Sequence, residues 1–338
     1  MTKTLNRMAD LYSRLSQIGF PKQYVQQVAL PDWWCDEFEQ SDGAAIDAAS
    51  YAARRLNLDL DSLLEVESLP RFNLIGNPKF KTVKGSDANK FIVATALCNR
   101  VAELVSYACV NEYQSLNNLS VQEIRSIILE KDGIINLESV LKFCWQRGIP
   151  VIHYNNFPKN TSKFHGMVTY IGNRPVIVIS LKDISPSRLL FIIVHEIGHI
   201  YKGHISAEIG SMIDEQVNPN SVDQEEIEAN EIGGELLFGR ANMMYHLSNQ
   251  FRGERLAKCA EEIAKRDRIA PGLVAWNYGW EKDRKEQWGI ARNAVSILEP
   301  EANAPLQINQ YLQSQLDWDK LSDDSQDHLK LFLKLEDS

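Results

Sequence analysis

Residues 185–204 read SPSRLLFIIVHEIGHIYKGH. Serine followed by proline opens a helix: the Ser185 hydroxyl can accept from an unpaired amide of the first turn, and Pro186 at the first helical position gives up no hydrogen bond. The helix so opened runs to about Gly203. Within it stands His195-Glu196-Ile197-Gly198-His199, a match to H-E-x-x-H. At about 100° per residue, two side chains four apart lie some 40° from one another, so both imidazoles can reach one ion. Glu196 is on the flank, within reach of a metal-bound water but not placed as a third ligand. That pattern is a zinc-hydrolase signature. Its chemistry needs three protein ligands, an open position for water whose pKa falls to about 7, and a carboxylate to take the proton. The flanking run LLFIIV is apolar, so two histidines and a glutamate on this helix need partners. Hydrogen-bonded core histidines are the competing reading.

A third ligand must come from elsewhere, and 223–238 (DQEEIEANEIGGELLF) is the candidate. Relative to Glu226, the residues Glu228, Glu231 and Glu235 fall at about 140–200° and form a solvated face. Ala229, Ile232, Gly233, Leu236 and Leu237 share the other arc with Glu226. A carboxylate on a buried face needs a cation or a pairing, so Glu226 is the expected zinc ligand, with Glu225 as runner-up. Asn230, one turn on, is placed to orient a ligand. Gly233 and Gly198 suggest close approach of the two helices. His204, Tyr201, Tyr170 and Arg174 are candidates to stabilise the transition state. His153, His165, His246 and His328 read as ordinary.

Working outward, the segments 149–154, 166–171 and 175–181 are β-rich, and Gly172-Asn173-Arg174 between the last two signals a hairpin. PVIVISL is the expected central strand. GMVTYI is the expected edge, where Thr169 and Tyr170 would pair with an extended substrate. The fold class is α+β, mostly helical: a small antiparallel sheet packed on the H-E-x-x-H helix, a zincin-like core. Helical regions lie on either side, giving expected divisions at 1–85, 86–240 and 241–338.

The first region is short helices and turns, similar to a degenerate helix-turn-helix, but residues 1–84 hold 10 Lys or Arg against 11 Asp or Glu. Trp33 and Trp34 are better read as packing than as base stacking. Pro70 to Gly85, with Arg71, Lys79, Lys81 and Lys84, reads as a solvated linker. Beyond Ala241 the chain is helical, and Trp276, Trp280, Trp288 and Trp318 read as packing anchors. Across 338 residues the formal charge is −9, which argues against a protein that coats nucleic acid by bulk charge. Direct nucleic-acid binding is left to a local basic patch. Five scattered cysteines outside any CxxC pair imply neither a disulfide framework nor a zinc ribbon. With no apolar leader at the start and a longest apolar run of six residues, a cytoplasmic setting is expected.

Three stretches together resemble the ImmA/IrrE metallopeptidase family: HEIGHIYKGH (195–204), EIEANEIGGELL (226–237) and IAPGLVA (269–275). The family block reads close to E-x-E-A-N-x-F-A-A-E-L-L-M-P. Here Ile232-Gly233-Gly234 replaces the aromatic and two alanines, and Phe238-Gly239 replaces Met-Pro. The resemblance implies one Zn2+ held by His195, His199 and Glu226, with Glu196 as general base. It further implies a narrow endopeptidase whose partner is a helix-turn-helix repressor, in a stress-response, mobile-element or phage-defence circuit. A non-catalytic, antitoxin-like binding protein retaining the zincin fold is the alternative.

Overall fold

The structure is a computed structural model and describes residues 7–41, 43–82, 87–218, 221–247, 251–282 and 284–334. The expected basic position Lys84 lies outside them. The chain opens with four short helices: α1 (Met8–Gln17), α2 (Lys22–Tyr24), α3 (Ala44–Leu56) and α4 (Leu60–Leu64). Strand β1 (Lys79–Lys81) follows, then the long α5 (Ile92–Ala108), α6 (Val121–Asp132) and α7 (Leu137–Gln146). The middle holds β2 (Val151–His153), β3 (Gly166–Ile171), β4 (Arg174–Ile179), α8 (Pro186–Lys202), β5 (Ser211–Asp214) and α9 (Gln224–Phe238). Five helices close the chain: α10 (Gly253–Asp267), α11 (Pro271–Lys282), α12 (Lys285–Leu298), α13 (Ala304–Ser314) and α14 (Asp323–Leu333). The expected mostly helical α+β class holds.

The sheet differs from its expected form. Its order is β1-β5-β3-β4-β2. It is mixed rather than antiparallel: β1 runs parallel to β5 and β2 parallel to β4, while β3 is antiparallel to both neighbours. β3 is therefore the middle strand. The expectation that GMVTYI is an edge, with Thr169 and Tyr170 free to receive a peptide, is corrected. Ser211–Asp214 already pairs with that side of β3, and the Tyr170 amide donates to the Gly210 carbonyl at 2.7 Å. The presumed linker is also corrected, since Lys79–Lys81 completes the sheet. Three residues of alternating Lys and Phe are too few to show a period, which is why pattern reading passes over them.

Both faces of the sheet are covered. Ile152, Met167, Val176, Val178 and Ile213 join a cluster with α1, α3, α5 and α14. Val151, Val168, Ile177, Ile179 and Met212 join a second cluster with α8 and the helices around it. Burial on both sides explains the unbroken apolar run of β4. Trp34 packs edge-on to Phe38 and Tyr51, whereas Trp33, edge-on to Phe38, remains largely exposed.

Helices α8 and α9 are fixed at their ends. The Ser185 hydroxyl accepts from the Arg188 amide, and Gly203 closes α8 in the left-handed region at φ 71°. Asp223 accepts from the Glu225 and Glu226 amides at the start of α9. At the other end of α9, the buried Arg125 guanidinium of α6 donates to the Leu236 and Leu237 carbonyls at 2.7 and 2.6 Å.

His328 on α14 is buried edge-on to Phe332. Burial, then the nearby Arg55, Arg100 and Arg54, holds its pKa well below the ordinary value of 6.5. Its ring stays neutral in the folded chain but charges in the unfolded chain, so its contribution is full above that value and is lost as pH falls below it. A proton bound by one state alone is worth about 1.4 kcal/mol per pH unit. Urea unfolding at pH 7 and pH 5 should show a loss of stability that is smaller by about 2 kcal/mol in His328→Leu than in the parent chain.

Candidate metal centre

Helix α8 projects His195 and His199 inward, and both are essentially inaccessible to solvent. Their Nε2 atoms stand 3.0 Å apart. Glu226, in the first turn of α9, spans them: Oε2 lies 3.3 Å from His195 Nε2 and Oε1 lies 3.3 Å from His199 Nε2. Donors about 2.0–2.1 Å from a tetrahedral zinc ion are separated by about 3.3 Å. The separations of the three side chains are of that size, with one Glu226 oxygen facing each ring.

The outer ring nitrogens explain why the inner ones are available. His195 Nδ1 donates to Asn230 Oδ1 at 3.0 Å, and the Asn230 amide in turn donates to the Asn218 carbonyl at 2.9 Å. His204 leaves the end of α8, turns back, and donates from Nε2 to Glu228 Oε2 at 3.2 Å. Its Nδ1 is then an acceptor for His199 Nδ1 at 2.9 Å. With both Nδ1 atoms donating, both Nε2 atoms of neutral rings carry lone pairs aimed into one space, which is the tautomer a metal requires.

Asp214, at the end of β5, is the residue sequence reasoning missed. Its Oδ2 lies 3.7 Å from His195 Nε2 and 3.5 Å from His199 Nε2. Suitable ligand atoms of His195, His199, Asp214 and Glu226 all lie within 4.8 Å of one another. The only trace in the sequence is a lone acid closing the short apolar run Met212-Ile213, too brief to be read as a strand. Register does the rest: Asp214 pairs with Gly166. Gly166 is also where Glu196 lies, since a Cβ there would overlap the Glu196 carboxylate. Neither carboxyl oxygen of Glu196 or of Asp214 has a hydrogen-bond partner.

The electrostatics follow from burial. Glu196 is held well above the usual carboxylate range by burial first, then by the Asp214 and Glu226 charges. Asp214 is raised by burial and by Glu226. Glu226 goes the other way: burial would raise it, but when His195 or His199 also holds a proton at Nε2, in place of the ion the neutral tautomer would bind, the hydrogen bonds and charges of those rings outweigh burial and lower it. His195 is raised, because Glu226 and Asp214 outweigh a burial effect that lowers it, while burial takes His199 down to about 4. Two imidazoles and three carboxyl groups in one dry space lack positive charge, and a divalent cation fits that lack.

The other expected residues are engaged elsewhere. Tyr201 donates to the Leu119 carbonyl at 3.0 Å. Tyr170 donates to Asn173 O and Arg174 to Asn111 O. His204 acts on His199 instead of facing the centre. Thr169 is buried among Asn99 and Ser211. Glu225 pairs with Lys79 and Lys81, so it does not join the metal group. Glu228, read as solvated, holds His204.

Close approach of the helices is concentrated at one residue. A Cβ on Gly198 would lie 2.6 Å from the Ala229 carbonyl oxygen and 2.7 Å from its Cα, whereas a Cβ on Gly233 would meet Val194 at 3.4 Å. Gly198→Ala should therefore push α9 off α8, costing about 1–3 kcal/mol and weakening metal binding by roughly 10–100-fold. Gly233→Ala should leave both unchanged or slightly improved. Thermal melts and competitive zinc titration of the two variants test this contrast.

Residues 144–269 match the model of a peptidase family described as IrrE N-terminal-like domain. Searches of curated proteins and of solved structures returned no match. The matched stretch runs from the end of α7 to just beyond α10 and contains β2 to β5, α8 and α9. Residues 144–269 are thus similar to an IrrE N-terminal-like peptidase domain, and within them two helices and one strand carry a buried group that could hold a metal ion.

Proposed function

We propose that the chain is a zinc-dependent endopeptidase with His195, His199 and Glu226 as metal ligands and Glu196 as general base. The observation that carries this reading is the spacing of the His195, His199 and Glu226 donor atoms within the family-matched segment. Zinc bound there would polarise a peptide carbonyl and bring the pKa of a coordinated water to about 7. Glu196 takes a proton from the attacking water at its carboxylate and returns it to the departing amide nitrogen. Its burial against Gly166 raises its affinity for that proton. Asn230 and His204 fix the planes of the two imidazoles. His195, Glu196, His199 and Asp214 are all at most 1% exposed, so a substrate reaches Glu196 only when one wall of the centre moves.

The family resemblance directs the substrate towards a helix-turn-helix repressor, in a stress-response, mobile-element or phage-defence circuit. Asp214 favours a second reading. If Asp214 also held the ion, His195, His199, Glu226 and Asp214 would give it four protein ligands, as in structural zinc sites. The chain is then a non-catalytic regulator that binds its protein partner through a zinc-stabilised fold.

Glu196→Gln separates the two. An endopeptidase should keep one equivalent of zinc by elemental analysis and lose roughly 10²–10⁴-fold in cleavage of its target; unchanged biological output in that variant sinks the enzymatic reading. Glu226→Ala should lose the metal. Asp214→Ala should keep zinc if Asp214 only lines the open position, and should lose most of it if Asp214 is a fourth ligand.

A further inference from the structure

Two turns before His195 on α8 stands Arg188. Seven residues advance a helix by about 10 Å and return to nearly the same direction, so Arg188 and His195 share a face. Arg188 lines a cavity of about 600 Å3 enclosed by the start of α8, the chain just after β5, and helices α11 and α12. This cavity is separate from the metal group, and the family match accounts for none of its α11 and α12 walls.

Its lining is unusual for a chain of net charge −9. Arg188, Lys285 and Arg292 face a single described carboxylate, Asp183. That carboxylate already accepts the Ser185 amide at 2.9 Å. The guanidinium of Arg188 lies over the rings of Trp276 and Trp280, 5.5 and 5.9 Å from their centres, and its Nη1 is buried without a hydrogen-bond partner. Trp276 is held in place by a hydrogen bond from its Nε1 to Ser185 Oγ at 3.2 Å. At the outer rim, Lys285 and Arg292 are seven residues apart on α12 and flank Trp288, so charge and indole alternate along one side of that helix.

We propose that this cavity binds a nucleoside phosphate, its phosphate held by Arg188, Lys285 and Arg292 and its base laid against Trp288, the half-buried indole of the rim. Guanidinium and ammonium groups recognise phosphate oxygens, and a base stacks on an aromatic side chain whatever its identity. The volume falls in the range of small-ligand sites and is several times what one acidic side chain would fill. The cavity shares a wall with the metal centre: Asn218 lines it, and the Asn218 carbonyl accepts from the Asn230 amide that orients His195.

The test titrates the full chain, with zinc present, against adenosine 5′-monophosphate and guanosine 5′-monophosphate, read by tryptophan fluorescence and by calorimetry. Saturable binding of either is expected. Arg292→Glu and Lys285→Glu, both at exposed positions, should keep the parent melting temperature and each weaken binding by at least about tenfold; Arg188→Gln should do the same or more. Three results overturn the proposal: no binding of either nucleotide up to about 1 mM, inorganic phosphate competing as well as the nucleotides, or a tri-glutamate peptide binding where nucleotides do not.

Discussion

Three carboxyl groups, Glu196, Asp214 and Glu226, are folded into one dry space around two imidazoles. The rest of the molecule is arranged to make that concentration of negative charge possible. A buried carboxylate is tolerated when it meets a cation or a set of donors. The protein supplies few of these: Glu226 meets the two rings, and among the described residues Glu196 and Asp214 have little beyond each other's carboxyl group. Helix ends, strand register and glycine positions all serve this one cluster. Asp223 caps the turn that carries Glu226, and Arg125 secures the far end of the same helix. Gly198 admits the Ala229 backbone, and Gly166 leaves room for the Glu196 carboxylate.

How much of this was legible depended on the range over which each residue acts. The start of α8, its two histidines and its end were readable because each depends on neighbours within a turn or two. Glu226 was readable because one helix period separates a buried acid from solvated ones. The hairpin between β3 and β4 was readable from Gly172-Asn173. Asp214 was not. Its place depends on a four-residue strand pairing with a partner more than forty residues earlier in the chain. The strand order failed for the same reason. β1 and β5 are too short to carry a period, and without them β3 looks like an edge. Glu228 is solvated as read, and its contact with His204 was out of range of one helix period because it runs beyond the helix end.

The same geometry leaves the centre shut. The expected docking edge is occupied by β5, and the four inward side chains of α8 and β5 have no contact with solvent. Catalysis and storage of an ion place opposite demands on such a site, since the first needs an open corner and the second a filled one. Asp214, with Oδ2 3.5 and 3.7 Å from the two Nε2 atoms, is the residue on which that choice would turn. The Trp-lined cavity lies on the same helix face, and Gln216, Val217 and Asn218, on the chain that leads from Asp214 towards α9, line it.

Strand β1 carries a last consequence. Its three residues run along the outer margin of β5, and Lys79 and Lys81 fasten it to the acids that begin α9. The family-matched stretch begins 63 residues after β1 ends, if 81 is subtracted from 144. A fragment trimmed to that stretch would bare the amide and carbonyl row of β5 and strip the apolar cover from one side of the sheet. Raw margins of that kind invite strand-to-strand stacking between molecules. The upstream segment thus acts as a hem: β1 covers the outer margin of β5, and the first helices cover one side of the sheet.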